Sequence, residues 1–184
     1  MPLDQLWATW RSMYVTGAAE SRRSLPGDLP DDAADDGRSL FERILASGAP
    51  DEETFIVDRG EGCFVILNRF PYTSGHLMVL PNRAVPDLEE LDEAEFTELW
   101  ELVRTCVVVL KSTTRCDGVN VGINLGRAAG GSQADHLHVH CVPRWIGDAN
   151  FMAVAGGSQV MPVSLVDQWR RLREHWPAAG TLSP

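Results

Sequence analysis

No apolar run in this 184-residue sequence is long enough to cross a bilayer, and its first residues carry no export-signal pattern. A membrane span and a secreted location are therefore not expected. Excess positive charge is also missing. Lysine plus arginine number 16 against 26 aspartate plus glutamate, a formal net charge of −10, which argues against broad nucleic-acid binding. Cysteine is scarce, and the four present (Cys63, Cys106, Cys116 and Cys141) show no Cys-x-x-Cys spacing. Cys63 and Cys141 fall in apolar strand patterns and should pack as small reduced hydrophobes, which points to the cytoplasm. No internal repeat or low-complexity domain is visible, and the length suits one domain with a substantial core.

Against that background, His136-Leu-His138-Val-His140 stands out. Successive strand side chains point to opposite faces, so the three imidazoles share one face while Leu137, Val139 and Cys141 point into a core. Packing alone seldom puts three such rings together, because each needs polar partners. Just upstream, Asn124-Leu-Gly-Arg-Ala-Ala-Gly130-Gly131-Ser132-Gln133 supplies a turn rich in small residues, whose backbone N–H groups can approach an anion closely. An imidazole row beside an amide cradle suits chemistry at phosphorus.

The rest of the chain reads as an α+β domain. Residues 4–15 carry helical apolar spacing through Leu6, Trp7, Trp10 and Tyr14, giving a helical extension over 1–17. Residues 18–38, rich in Gly, Pro, Ala, Asp and Ser, read as an acidic linker, and residues 39–184 as the domain proper. Strands are expected over 54–58, 63–68, 76–81, 119–124 and 136–142. Asp92 and Glu95 have capping-box spacing and open a long helix, with Phe96, Leu99, Trp100, Val103, Val107 and Leu110 along one face. A final helix is expected over 163–176 through Leu165, Trp169 and Leu172. The result is a sheet of about five antiparallel strands, with a long helix between the third and fourth.

Residues 136–142 fit His-φ-His-φ-His-φ-φ, with φ apolar, and on that motif the sequence resembles the histidine triad (HIT) family of nucleotidyl hydrolases and transferases. Asn68-Arg-Phe70-Pro-Tyr-Thr-Ser-Gly75-His76 resembles the family's nucleoside-binding segment. Within the family, Leu6-Trp-Ala-Thr-Trp-Arg11, Arg127-Ala-Ala-Gly130 and Gly147-Asp-Ala-Asn-Phe-Met152 resemble the bacterial diadenosine tetraphosphate (Ap4A) phosphorylase and ATP adenylyltransferase branch.

The resemblance implies a HIT-like fold, a homodimer with sheets joined edge to edge, and nucleotidyl transfer through a covalent intermediate on His138. It places His140 near the phosphate oxygens and gives His136 an orienting role. Asn124, Gly131, Ser132 and Gln133 would bind phosphate, or Asn124 would merely end a strand and bond the turn backbone. Gln133 stands where the family often has a hydroxyl, with Ser132 one place earlier. Asn68 would bind ribose, or merely cap a turn. Phe41, Ile44 and Phe70 would line the base pocket, although core packing is an equal reading for Ile44. His76 would support the triad, and Trp145 would either close the site or pack in the core. His175 reads as a surface residue near a helix end. Some relatives hold zinc with an upstream Cys-x-x-Cys, but the matching stretch here is Ser39-Leu-Phe-Glu42, so no structural zinc is expected. No cofactor is implied, although magnesium could accompany a polyphosphate.

The expected substrate is thus a dinucleoside polyphosphate such as Ap4A, cleaved at the α-phosphorus with inorganic phosphate as acceptor. The overall acidity does not exclude it, because local donors decide such binding. A hydrolase acting on nucleoside polyphosphates or phosphoramidates would use water on the same intermediate. Two rivals belong to other classes: a nucleotide-binding regulator with incidental catalysis, and a metal-binding protein using the same-face imidazoles.

Overall fold

A computed structural model describes residues 37–129, 133–149 and 163–178. The expected helix over 4–15, the Trp7 and Trp10 stretch, nearly all of the linker, Gly131, Ser132 and Phe151-Met152 lie outside the described residues.

The described chain opens with a helix that the periodicity did not reveal, α1 (Leu40–Ala46). Its start is chemical rather than periodic. The Ser39 hydroxyl accepts the Glu42 N–H, and the Glu42 carboxylate accepts the Ser39 N–H, a complete capping box. A short helix, α2 (Asp51–Thr54), follows and stops at Phe55, whose φ of 62° is left-handed. That stop corrects the expected start of the first strand: Thr54 belongs to the helix, and β1 is Ile56–Arg59.

The strands β2 (Cys63–Leu67), β3 (Leu77–Pro81), β4 (Gly118–Ile123) and β5 (Val139–Arg144) complete one antiparallel sheet in the order β1-β2-β3-β5-β4. The last strand starts three residues later than expected. His136 and His138 lie on an extended approach to β5, because the backbone before Val139 bonds elsewhere: Leu137 N–H donates to the Val85 carbonyl at 2.7 Å.

The long helix α3 (Glu93–Thr114) crosses one face of the sheet, starting at the expected Asp92–Glu95 capping box. Its buried stripe is Leu99, Val103, Cys106 and Leu110, and Phe96 and Trp100 are exposed at 43% and 37%. This corrects the expected face. The i, i+4, i+7 series from Leu99 tracks the 3.6-residue repeat, whereas the aromatic rings sit on its flank. The last helix, α4 (Leu165–Glu174), adds Leu172 to the same core.

Two apolar clusters result. Cys63, Val65, Leu67, Leu77, Val79, Leu137, Val139 and Cys141 pack with α3 and α4 on one face of the sheet. Phe64, Ile66, Met78 and Leu80 face the other way, against Phe41, Ile44 and Leu45 of α1. Met78 is the register partner of His140, so the second cluster is the floor on which the histidines stand. All four cysteines are free thiols, and Cys63, Cys106 and Cys141 are buried; burial pushes the Cys63 thiol up to about 12. Among the described residues no helix is long and apolar enough to cross a membrane.

Candidate active site

The alternation read from sequence persists although the regular strand begins late. Leu137, Val139 and Cys141 enter the main core, and His136, His138 and His140 turn to the other side. All three rings are nearly or wholly buried, so each nitrogen's partner matters. Backbone atoms assign the protons, because a carbonyl can only accept and an N–H can only donate.

His138 Nδ1 lies 2.8 Å from the carbonyl oxygen of His136. In the neutral ring the proton is therefore on Nδ1, and Nε2 carries the free lone pair. His136 Nε2 lies 2.9 Å from the Pro81 carbonyl, so it holds the proton and leaves Nδ1 to accept from the Ser39 hydroxyl at 2.7 Å. For the third histidine the chain of logic starts at Tyr72. Its N–H donates to His76 Nδ1 at 3.1 Å, so His76 is protonated at Nε2. That proton goes to His140 Nδ1 at 2.9 Å, and His140 must then carry its own proton on Nε2. The site thus presents a nucleophilic nitrogen on His138 beside an N–H donor on His140, with ring centroids 4.8 Å apart.

Burial favours the neutral form of two rings in this cluster, His76 and His136. Burial, followed by the neighbouring His140 and His138, pushes the His76 pKa down to about 3. Burial also lowers His136, opposed by its bond to Pro81 and by the Glu42 and Asp135 carboxylates. A neutral His76 can hold one tautomer and pass that choice to His140.

The other expected site residues take varied positions around the triad. Asn124, just past β4, has Nδ2 placed 3.4 Å from His140 Nε2. Since that nitrogen is a donor, the Asn124 amide must turn its oxygen toward it. Asn68 makes the turn contacts of a strand-end asparagine: its Oδ1 accepts the Phe70 N–H at 2.9 Å, and Nδ2 lies 3.3 Å from His76 Nδ1. Gln133 uses its carbonyl to accept the His136 N–H at 3.5 Å.

Phe41 is brought directly onto the triad, edge-on to His136 at 5.4 Å and tilted to His138 at 5.9 Å. Ile44 is partly buried behind it, whereas Phe70 is 58% exposed. Trp145 is half-buried, its N–H donating to Asp148, which Arg144 also grips. His175 is exposed at the end of α4, as expected. A cleft of about 470 Å³ lies between Arg69 and Pro71 on one side and Val163, Ser164, Leu165 and Gln168 on the other, and none of the triad lines it.

Three groups were missed in the sequence: the Ser39 hydroxyl, the Pro81 carbonyl and the Tyr72 N–H. Ser39 could have been found, since Ser-x-x-Glu is a helix-start signal as well as a departure from a cysteine pair. The other two are backbone atoms, which no residue pattern announces. Among the described residues no three His, Cys, Asp or Glu side chains converge as the ligands of a metal ion would.

Known proteins resemble this chain in sequence and fold. The HIT domain family matches residues 49–145. An AP-4-A phosphorylase of Mycobacterium tuberculosis is 42% identical over 174 residues, covering 95% of this chain and 85% of that protein. A bis(5'-adenosyl)-triphosphatase of Dictyostelium discoideum is 35% identical over 81 residues, covering 44% of this chain and 54% of its own. A solved Zn-bound histidine triad family protein from Mycobacterium smegmatis superposes with a TM-score of 0.60 at 26% identity, covering 74% of this chain and 91% of that one. The domain match and the chain-long likeness to the mycobacterial relative make this protein a member of the HIT domain family.

Proposed function

We propose that this protein is a nucleotidyl transferase that cleaves a dinucleoside polyphosphate such as Ap4A at the α-phosphorus, through a covalent nucleotidyl-His138 intermediate. The observation that carries the reading is the 2.8 Å bond from His138 Nδ1 to the His136 carbonyl, which puts the neutral ring's proton on Nδ1 and its lone pair on Nε2. In the first step the Nε2 lone pair forms the N–P bond, the P–O bond to the distal half breaks, and ATP leaves with the electron pair. The His140 Nε2–H stabilises the charge that develops on oxygen, and the His136 carbonyl stabilises the cationic ring formed on His138. In the second step inorganic phosphate attacks the same phosphorus, its oxygen forms the new P–O bond, and His138 regains its lone pair as ADP departs.

The choice of phosphate as acceptor is supported by the mycobacterial AP-4-A phosphorylase, the relative that spans nearly the whole chain. A second reading, attack by water to give AMP and ATP, draws support from the Dictyostelium triphosphatase. In both readings Asn124, Gln133, Gly131 and Ser132 bind phosphate, Asn68 binds ribose, and Phe41, Ile44 and Phe70 meet the base. A divalent ion such as magnesium would arrive with the polyphosphate.

We also propose a homodimer in the cytoplasm. β4 ends the described sheet, and Val121 on it, with Phe96, Trp100 and Val108 on α3, is an exposed apolar side chain that a second copy would cover. The four free thiols suit a reducing compartment.

Product analysis tests the reaction. Incubation with Ap4A should give ATP plus ADP only when phosphate is present, and His138→Ala should give neither. AMP plus ATP without phosphate would replace the phosphorylase reading with the hydrolase. No turnover by the natural protein under either condition would refute both.

A further inference from the structure

His136 performs no bond-making in the mechanism above, yet it is fully buried and both of its ring nitrogens are engaged. We propose that Ser39 is a positioning residue for the nucleophile: its hydroxyl proton locks the His136 ring, and the locked residue holds its carbonyl where it accepts the His138 Nδ1–H. This rests on His138 being the nucleophile.

The cap alone does not explain the serine. Capping α1 uses an oxygen lone pair, which accepts the Glu42 N–H at 3.1 Å. Aspartate or asparagine would cap as well. What a carboxylate lacks is a proton to give, and that proton is what Ser39 spends on His136 Nδ1 across 97 residues of sequence, at 2.7 Å. Ser39 is itself held: the Glu42 carboxylate takes the Ser39 N–H at 2.9 Å and the Ala84 N–H at 3.0 Å, tying α1 to the segment just past β3. His136 is thereby fixed at both ends of its ring, by Ser39 on one side and by Pro81, the last residue of β3, on the other. Its carbonyl belongs to the same residue and is fixed with the ring. Phe41, in the first turn of α1, packs on both His136 and His138. The hydroxyl of Ser39 is thus two hydrogen bonds from the reactive nitrogen's own ring.

Ser39→Asp is the discriminating variant, because it preserves the cap and reverses the polarity of the bond to Nδ1. Glu42, Asp135 and His138 are the other charged or titratable groups facing His136, and all are unchanged. The readout is ¹⁵N NMR of histidine-labelled, ligand-free full chain at pH 7, alongside kcat and KM for Ap4A plus phosphate. In the natural protein His136 should carry its proton on Nε2, and His138 should show a protonated Nδ1. Ser39→Asp should make His136 doubly protonated and lower kcat by about 10- to 100-fold with little change in KM, the loss expected when a reacting group is slightly misplaced. Ser39→Thr, which keeps the hydroxyl, should retain both the pattern and the rate, whereas Ser39→Ala should lose rate.

Unchanged nitrogen patterns and kcat in Ser39→Asp would overturn the proposal. If that variant does not fold, Ser39→Ala and Ser39→Thr decide, and equal rates in the two would overturn it. The NMR arm needs no substrate, so failure of the natural protein to turn over Ap4A would count against the proposed reaction and leave the test of Ser39 intact.

Discussion

His76 should make this protein acid-sensitive, and replacing it with glutamine should remove much of that sensitivity. The ring is fully buried, and burial together with His140 and His138 brings its pKa down from 6.5 to about 3. In the unfolded chain the same histidine takes up a proton near its ordinary value of about 6.5. Between those limits the unfolded state binds the proton and the native state does not, so stability falls as pH falls. Above pH 6.5 neither state is protonated and the stabilisation is fully present; below about 3 both are, and the loss is complete. At about 1.36 kcal/mol per pH unit, the window of about 3.5 units sets a limit near about 5 kcal/mol. Only about 2 kcal/mol of that should be lost between pH 7 and pH 5, a range that avoids most carboxylate titration.

Glutamine is the chosen replacement because its amide N–H can stand in for Nε2–H toward His140 Nδ1 while not titrating in this range. Urea unfolding at pH 7 and pH 5 provides the stabilities by linear extrapolation. The natural protein should lose about 2 kcal/mol more than His76→Gln over that interval. Equal losses in the two proteins would refute the reasoning, because they would mean that His76 is not the buried neutral group assigned here. His136, whose pKa is also lowered by burial, contributes in the same direction to both proteins and cancels from the difference.

Other consequences can be measured directly. His140→Ala should reduce kcat for Ap4A by about 10²- to 10³-fold, the cost of one lost donor to a developing oxyanion, with substrate affinity measured separately by titration of the His138→Ala protein. Asp92→Ala removes the side chain that accepts the Glu95 N–H at the start of α3 and should cost about 1 kcal/mol in urea unfolding. Gly75 has φ of +89°, so Gly75→Ala should cost about 1–2 kcal/mol from backbone strain. That loss should lower the thermal midpoint by about 2–8 °C. An unchanged midpoint would show that the backbone there relaxes without penalty.

The sequence by itself determined the face on which the histidines lie. Alternation of His136, His138 and His140 with Leu137, Val139 and Cys141 is a property of extended chain, and it holds even where the regular ladder has not yet begun. The Asp92–Glu95 cap was legible for the same reason, since both partners lie within one helical turn. Tertiary structure decided what the sequence could not: the proton positions. Those of His136, His138 and His140 depend on Pro81, on the His136 carbonyl and on the Tyr72 N–H acting through His76, and backbone atoms have no letter in the sequence. Ser39 was visible as a lost cysteine but not as a donor, because its partner lies 97 residues away and only the packing of α1 against the sheet brings them together. Local periodicity reports which way a side chain points, whereas a hydrogen bond depends on what folding places opposite it.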